Sequence, residues 1–181
     1  LADAKAMRKL FLLIVTFVGI ISTILLWKIE PNNSFITLAL ILSFFSIAAN
    51  ELMFVFYNSL LPSVATKAMI GRVSGWSWGV GYWGAIIALS IALFLFIQPE
   101  NAPFNLNKSN AEHVRATMIL AGVWLLIFSV PLFIFVREGA PASNLKSPSK
   151  ILVTGWKEIR RIPGLTKFLI ARLFYTDGLT I

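Results

Sequence analysis

The sequence predicts an all-α polytopic membrane protein, and three observations carry that prediction. Of the 181 residues, 57% are hydrophobic and only 13% are charged, whereas soluble domains carry roughly 25% charged residues. The mean hydropathy is +0.80. The apolar residues also gather into long blocks separated by charged connections, and about 20 consecutive apolar residues are enough for an α-helix to cross the hydrocarbon core of a bilayer.

Four complete membrane spans follow from these blocks. We expect them at 10–27, 35–56, 73–97 and 114–136, and a fifth apolar segment begins near Phe168. The first and fourth spans are apolar nearly all round, so we expect them to face lipid. Pro131 is expected to kink the fourth span. The chain opens on Leu1 and stops inside the fifth segment, so we expect it to be a fragment whose partners include missing helices of the same protein.

The second span differs because polar side chains recur along it at helical spacing. They are Ser43, Ser46, Asn50 and Tyr57, with Glu51 beside them. An ionisable side chain in the middle of a bilayer costs a few kcal/mol on insertion scales, so it marks a transport pathway or a buried partner. We predict that Ser46, Asn50, Glu51 and Tyr57 contact a substrate or a coupling ion. The structural alternatives are an interhelical hydrogen bond from Asn50 and a Glu51 side chain that reaches the interface.

The third span is rich in glycine. Each glycine would cost about 1 kcal/mol relative to alanine in a soluble helix, but in lipid small residues let a neighbouring helix backbone approach closely. We therefore predict that this span packs tightly against another helix, and the functional alternative is a sliding interface between two moving halves. The predicted packing residues are Gly71, Gly75, Gly79, Gly81 and Gly84.

The basic residues indicate topology. The formal net charge is +8, and most Lys and Arg residues lie at the N-terminal end, in the connection after the second span and in the connection 137–167. By the positive-inside rule these segments are cytoplasmic. Because the basic residues flank membrane spans, we expect the lipid bilayer as a partner and no nucleic acid.

The long connection 137–167 contains a predicted amphipathic helix at 149–162. Ser147 and Pro148 form a helix start, and Pro163 and Gly164 form a stop. Apolar side chains would share one face, while lysine, arginine and glutamate lie elsewhere. The sequence fits two structures equally well, a helix lying on the cytoplasmic membrane surface and a solvated linker helix.

The fifth apolar segment contains two charged candidates, Arg172 and Asp177. They could neutralise each other or form part of a gate. Because they are five positions apart, they do not share one helix face well, so we expect each to have a different partner. Both are predicted as substrate or coupling-ion residues.

Enzyme chemistry finds little support in these residues. There is no cysteine, which excludes disulfides and thiolate metal sites here. The single histidine, His113, follows Glu112 and is expected to be a solvated loop residue. We therefore predict no metal, no cofactor and no catalytic residue. A membrane-embedded enzyme and a non-transporting membrane scaffold are the alternatives to a transporter.

The N-terminal residues resemble a signature of major facilitator transporters. Leu1-Ala2-Asp3 followed by Arg8-Lys9 is similar to the family's loop between the second and third helices, with Ala6 in place of a glycine. The resemblance implies a 12-helix, two-half bundle. Residues 1–136 would hold helices three to six, 137–167 the loop between the halves, and 168–181 the start of helix seven. It also implies a cytoplasmic gate formed by Asp3, Arg8, Lys9 and Arg72, with Asp3 capping or pairing near Arg72.

Two further stretches resemble vacuolar effluxers of the Atg22 type and their bacterial relatives. They are 56–62 together with 71–75, and Ala171-Arg172 followed by Tyr175, Asp177 and Gly178. The resemblance implies a secondary transporter working by alternating access, in a bacterial inner membrane, that exports amino acids or another small polar solute. A proton or sodium ion would be the coupling ion, and the third-span glycines would lie between the two halves.

Overall fold

The computed structural model describes residues 7–99, 103–137, 159 and 161–180. The chain divides into two compact units, one within Ala6–Ala140 and one within Pro141–Ile181. The larger unit contains four long α-helices, all long and apolar enough to cross a membrane, as the sequence predicts. They are α1 (Arg8–Leu25), α2 (Ile36–Val64), α3 (Ile70–Ile91) and α4 (Glu112–Phe135). The smaller unit contains α5 (Leu165–Thr180).

Short irregular helices join or extend these elements. A 3-10 turn at Leu26–Lys28 ends α1, and another at Asn33–Phe35 precedes α2. A third, Pro103–Asn105, lies between α3 and α4. The segment Ala92–Ile97 continues α3 as a π-helix, in which the Gln98 amide donates to the Leu93 carbonyl at 2.9 Å. The third span therefore ends in a wider turn, not in a regular one.

The second helix is longer than its hydropathy indicates. It extends to Val64 instead of ending at Phe56, and Pro62 lies in its last turn. Two hydroxyls accompany this extension, because Ser59 Oγ donates to the Phe56 carbonyl at 2.6 Å and Ser63 Oγ donates to the Leu60 carbonyl at 2.5 Å. In both, a serine hydroxyl bonds to the carbonyl three residues earlier in the same helix, which gives each hydroxyl a partner within the helix.

Helix α1 is the packing centre of the larger unit. Its buried residues include Leu12, Thr16, Gly19 and Ile20, and it packs against both α2 and α4. Its opposite side leaves large apolar residues such as Phe17 exposed. The first and fourth spans, which we expect to face lipid, thus each have one side that packs on other helices and one that is open. Hydropathy does not distinguish the two sides because the packed side of α1 is also largely apolar.

Two close approaches explain how α1 packs. A Cβ atom added to Gly19 would lie 3.0 Å from Met53 Cε and 3.3 Å from Ala49 Cβ of α2, and one added to Gly122 of α4 would overlap the Ile24 side chain of α1. Small residues of this kind let membrane helices meet closely enough for dense van der Waals packing.

Cationic side chains join the ends of α1 and α4. At one end Lys9 Nζ donates to the Val136 carbonyl at 2.8 Å, and at the other Arg115 Nη1 donates to the Trp27 carbonyl at 3.0 Å. The two helices are therefore antiparallel, and each supplies a cation to the final carbonyls of the other. A cation at this position satisfies an orphan carbonyl and interacts favourably with the helix dipole.

Helix α3 is open by comparison. None of its residues is buried, including those of its most apolar stretch. One ring contact joins it to α2, a stacked pair between Trp78 and Phe54 with centroids 6.1 Å apart. The predicted helix at 149–162 lies largely outside the described residues, as does Asp3.

Candidate functional site

The polar residues of α2 lie on two sides of the helix, because Glu51 does not share the stripe of Ser46 and Asn50. Ser46 Oγ lies 2.9 Å from Thr23 Oγ1 of α1, in a hydrogen bond between the two helices. Asn50 Nδ2 donates to the Ser46 carbonyl at 2.9 Å, one turn back on the same helix. Ser46 is therefore engaged in the packing of α1 on α2, and Asn50 is bonded within α2.

A large groove lies between α2, α3 and α4 and contains two of the predicted residues. Its volume is about 1170 Å³, and we call it the α3 groove because α3 contributes most of its lining. Asn50 and Tyr57 of α2 line it, together with Arg72 and Ser77 of α3. Apolar and small residues complete the lining: Met69, Val73, Trp76, Val80, Gly81, Gly84, Ala85, Ala88, Trp124, Leu125 and Phe128.

Glu51 lies on another side of α2, near the middle of the helix. It is exposed and has no hydrogen bond or ion pair within the described ranges. Residues one turn away on the same face are apolar and exposed, since Ile47 is 64% and Val55 is 62% accessible. A lone carboxylate therefore interrupts an apolar, exposed face of a helix that is long and apolar enough to cross a membrane, where a charge is costly.

Two of the three described cations of the predicted gate bind backbone carbonyls. Arg8 Nη1 donates to the Ser59 carbonyl of α2 at 3.2 Å, and Lys9 bonds to the end of α4 as described above. Arg72 instead lines the α3 groove. The structure thus brings Arg8 and Lys9 to the ends of neighbouring helices but places Arg72 on a separate surface.

The predicted packing glycines lie on open faces of α3. At Gly71, Gly75, Gly79, Gly81 and Gly84, an added Cβ would meet no atom of the described residues within 4 Å. Gly81 and Gly84 line the α3 groove, whereas Gly75 and Gly79 do not. The closely packed glycines are instead Gly19 and Gly122, which are not among the predicted packing residues. In α1 the helical spacing of Thr16, Gly19 and Thr23 could have indicated a packed face.

The predicted residues in the smaller unit are only partly described. Arg172 is exposed in α5. Asp177 belongs to the same helix, but its side chain lies outside the described part of the chain.

A polar cluster forms where α1 ends and α4 begins. The Arg115 side chain is only 12% accessible, its Nη2 lies 3.9 Å from Glu112 Oε1, and its guanidinium carbon lies 5.2 Å from the Trp27 ring centre. Glu112 Oε2 also accepts a hydrogen bond from the Asn107 amide at 2.8 Å. His113 belongs to the first turn of α4, and its Nδ1 is shielded with no hydrogen-bond partner among the described residues. The sequence predicts a solvated loop residue here, whereas the structure places His113 in a helix and half-buried.

These features define the class of the protein. Four long apolar helices, with basic residues concentrated in alternate connections, make an all-α polytopic membrane protein, and its fold is of the major facilitator type. The chain belongs to the family described as vacuole effluxer Atg22-like, whose model matches residues 1–72 and 67–181.

Individual relatives agree with this assignment. The chain is 26% identical over 187 residues to YxiO of Bacillus subtilis, which is named an uncharacterized MFS-type transporter; the match covers 98% of this chain and 42% of the relative. It is 26% identical over 122 residues to autophagy-related protein 22-1 of Penicillium rubens, covering 60% of this chain and 19% of the relative. The chain thus spans less than half the length of these relatives. No solved structure matches it.

Proposed function

We propose that the whole protein is a secondary active transporter that works by alternating access and exports amino acids or another small polar solute. Membership of the effluxer family supports transport, as does the similarity to a protein named an MFS-type transporter. The observation in this chain that carries the proposal is Glu51, an ionisable group in the middle of a membrane helix on an otherwise apolar, exposed face. Such residues mark solute or ion pathways by default.

Glu51 is proposed to couple the movement of an ion to the movement of the protein. While Glu51 is charged, it opposes any conformational step that moves this face of α2 into an apolar environment, because an uncompensated charge is expensive to desolvate. Binding a proton neutralises it, and binding sodium compensates it. Either event lowers the cost of that step, so the conformational change would follow ion binding. Within the proposal, Arg172 and Asp177 remain candidates on the first helix of the second half.

The other predicted residues have conformational roles in this proposal. The face of α3 that carries Gly75 and Gly79 would lie at the moving seam between the two halves. Asp3, Arg8, Lys9 and Arg72 would form the cytoplasmic gate, with the N-terminal end and 137–167 on the cytoplasmic side of a bacterial inner membrane. Replacing Gly79 by leucine should then reduce transport while leaving insertion unchanged.

The test is transport by the full-length protein in proteoliposomes, screened over classes of small polar solute. We expect Glu51→Gln to abolish uptake driven by a proton or sodium gradient while solute exchange continues, because the amide can neither bind a proton nor carry a charge. The matched control is Glu30→Gln, in the exposed connection between α1 and α2, which should transport normally. Undiminished coupling in Glu51→Gln would remove this residue from the mechanism. No movement of any solute under any gradient would favour a membrane scaffold.

A further inference from the structure

Four aromatic side chains line a smaller cleft between α2 and α3. Its volume is about 370 Å³, within the roughly 300–1,000 Å³ of small-molecule sites. Unlike the α3 groove, it has no lining residue from α4. We call it the aromatic cleft, after Phe54 and Tyr57 of α2 and Trp78 and Tyr82 of α3.

The rings of the aromatic cleft are spaced so that one cation can meet two of them. Phe54 and Trp78 are stacked with centroids 6.1 Å apart, and Trp78 and Tyr82 have centroids 6.0 Å apart with a tilt of 39°. A cation is attracted to the face of an aromatic ring within about 6 Å of the ring centre. A cation between two neighbouring rings of this cluster is therefore within reach of both. Each of the three residues is at least half exposed, so part of each ring is open to a ligand.

Glu51 supplies a negative charge beside the aromatic cleft. It precedes Phe54 by three residues on α2, and residues at this spacing are neighbours on a helix surface. Its carboxylate is exposed and has no hydrogen bond or ion pair within the described ranges, although a charge in a membrane helix favours a compensating partner. We infer that the aromatic cleft binds an organic cation, an amine or a quaternary ammonium compound, whose charge lies between the rings and Glu51.

The chemistry of the aromatic cleft favours a cation that carries no carboxylate. Among the described residues that line the cleft none is basic, so none can pair with a carboxylate or a phosphate, and Glu51 repels both. Gly81 and Ala85 also line the cleft and leave room for the methyl groups around a quaternary nitrogen. This inference rests on the proposed transport function, because it narrows the class of solute from small polar molecules to organic monocations.

The test measures binding to the full-length protein in detergent, without any ion gradient. The probes are choline and the uncharged alcohol in which a tert-butyl group replaces the trimethylammonium group. We expect choline to bind more tightly than the alcohol. Trp78→Leu should weaken choline binding by about 5–30-fold, because it removes a ring face but keeps an apolar side chain. The matched control is Trp83→Leu, which changes an exposed tryptophan of the same helix that lines neither the aromatic cleft nor the α3 groove and should bind choline normally.

Two further variants separate the rings from the charge. Tyr82→Leu should also weaken choline binding, and it gives the same comparison if Trp78→Leu does not yield folded protein. Glu51→Gln should reduce the preference for choline over the alcohol, while the rings still hold choline at saturating concentration. Trp78→Phe keeps an aromatic face and should retain most of the affinity.

Each outcome decides the inference. A loss in Trp78→Leu and Tyr82→Leu, with none in Trp83→Leu, supports it. Equal affinities for choline and the alcohol, or equal affinities in the Trp78 and Trp83 variants, would show that the rings only pack helices and would overturn it. Glycine betaine that binds as tightly as choline would assign the cleft to zwitterions and would overturn it too. Choline that binds but is not transported contradicts the proposed function alone, whereas transport of another solute without choline binding contradicts this inference alone.

Discussion

Helices α1 and α3 are both long, apolar and glycine-containing, yet they relate to the rest of the molecule in opposite ways. Gly19 of α1 lies against Met53 and Ala49, whereas the five glycines of α3 have no neighbour within 4 Å among the described residues. Helix α1 is covered on one side by α2 and α4, and α3 has no buried residue. The number of glycines therefore does not show whether a membrane helix is closely packed. The contacts that other helices make with it show this.

The ends of the helices differ in the same way. A cation forms a hydrogen bond at each end of α1. Lys9 donates to the Val136 carbonyl at one end, and the Trp27 carbonyl accepts from Arg115 at the other. Arg72 at the start of α3 lines an open groove instead. Helices α1, α2 and α4 thus form one closely packed group fixed at its ends, and α3 lies beside it with most of its surface uncovered.

The largest expected effect is at Gly122. A leucine there would overlap Ile24 of α1, so Gly122→Leu should destabilise the full-length protein by about 3 kcal/mol, at the upper end of typical overpacking costs. Ala121→Leu, at the neighbouring exposed position of the same helix, is the matched control and should be neutral. Thermal unfolding in detergent measures both. Equal stability of the two variants would contradict the close packing that distinguishes α1 from α3.

A smaller effect is expected at Arg115. Replacing it by methionine removes the donor to the Trp27 carbonyl and the cation beside Glu112, and a hydrogen bond that involves a charged group contributes about 1.5–3 kcal/mol. We therefore expect Arg115→Met to lose about 2 kcal/mol of stability in urea or thermal titrations. Lys28→Met, at an exposed position near the same end, should be neutral. A neutral Arg115→Met would show that the cap does not hold the two helices together.

The sequence contained most of the fold and part of the site. Hydropathy located all four membrane helices because each must satisfy its backbone within lipid. It placed the end of α2 too early. The helix continues past Tyr57 to Val64, and the Ser59 and Ser63 hydroxyls bond to backbone carbonyls of this part of the helix. Helical spacing put Ser46 and Asn50 on one stripe, but spacing cannot say which neighbour each residue meets.

The contacts of small residues were the least predictable feature. Gly19 and Gly122 stand in spans that look uniformly apolar, and only the approach of Met53 and Ile24 shows that they are packed. The glycines of α3 are more conspicuous in the sequence but meet nothing in the described ranges. Long-range pairing of this kind depends on how helices cross, which a single helical pattern does not contain.

The most direct test of the packed group is the distance between α1 and α4 during transport. Spin labels at Leu10 and Phe135, exposed positions next to the Lys9 bond to Val136, would be introduced as a cysteine pair in full-length protein otherwise free of reactive cysteine. Pulsed electron resonance in proteoliposomes, with and without an imposed ion gradient, would then measure their separation. We expect one narrow distance that does not change with the gradient. Two populations that exchange with the gradient would show that α1 and α4 move apart, and would contradict the view that they form one rigid group.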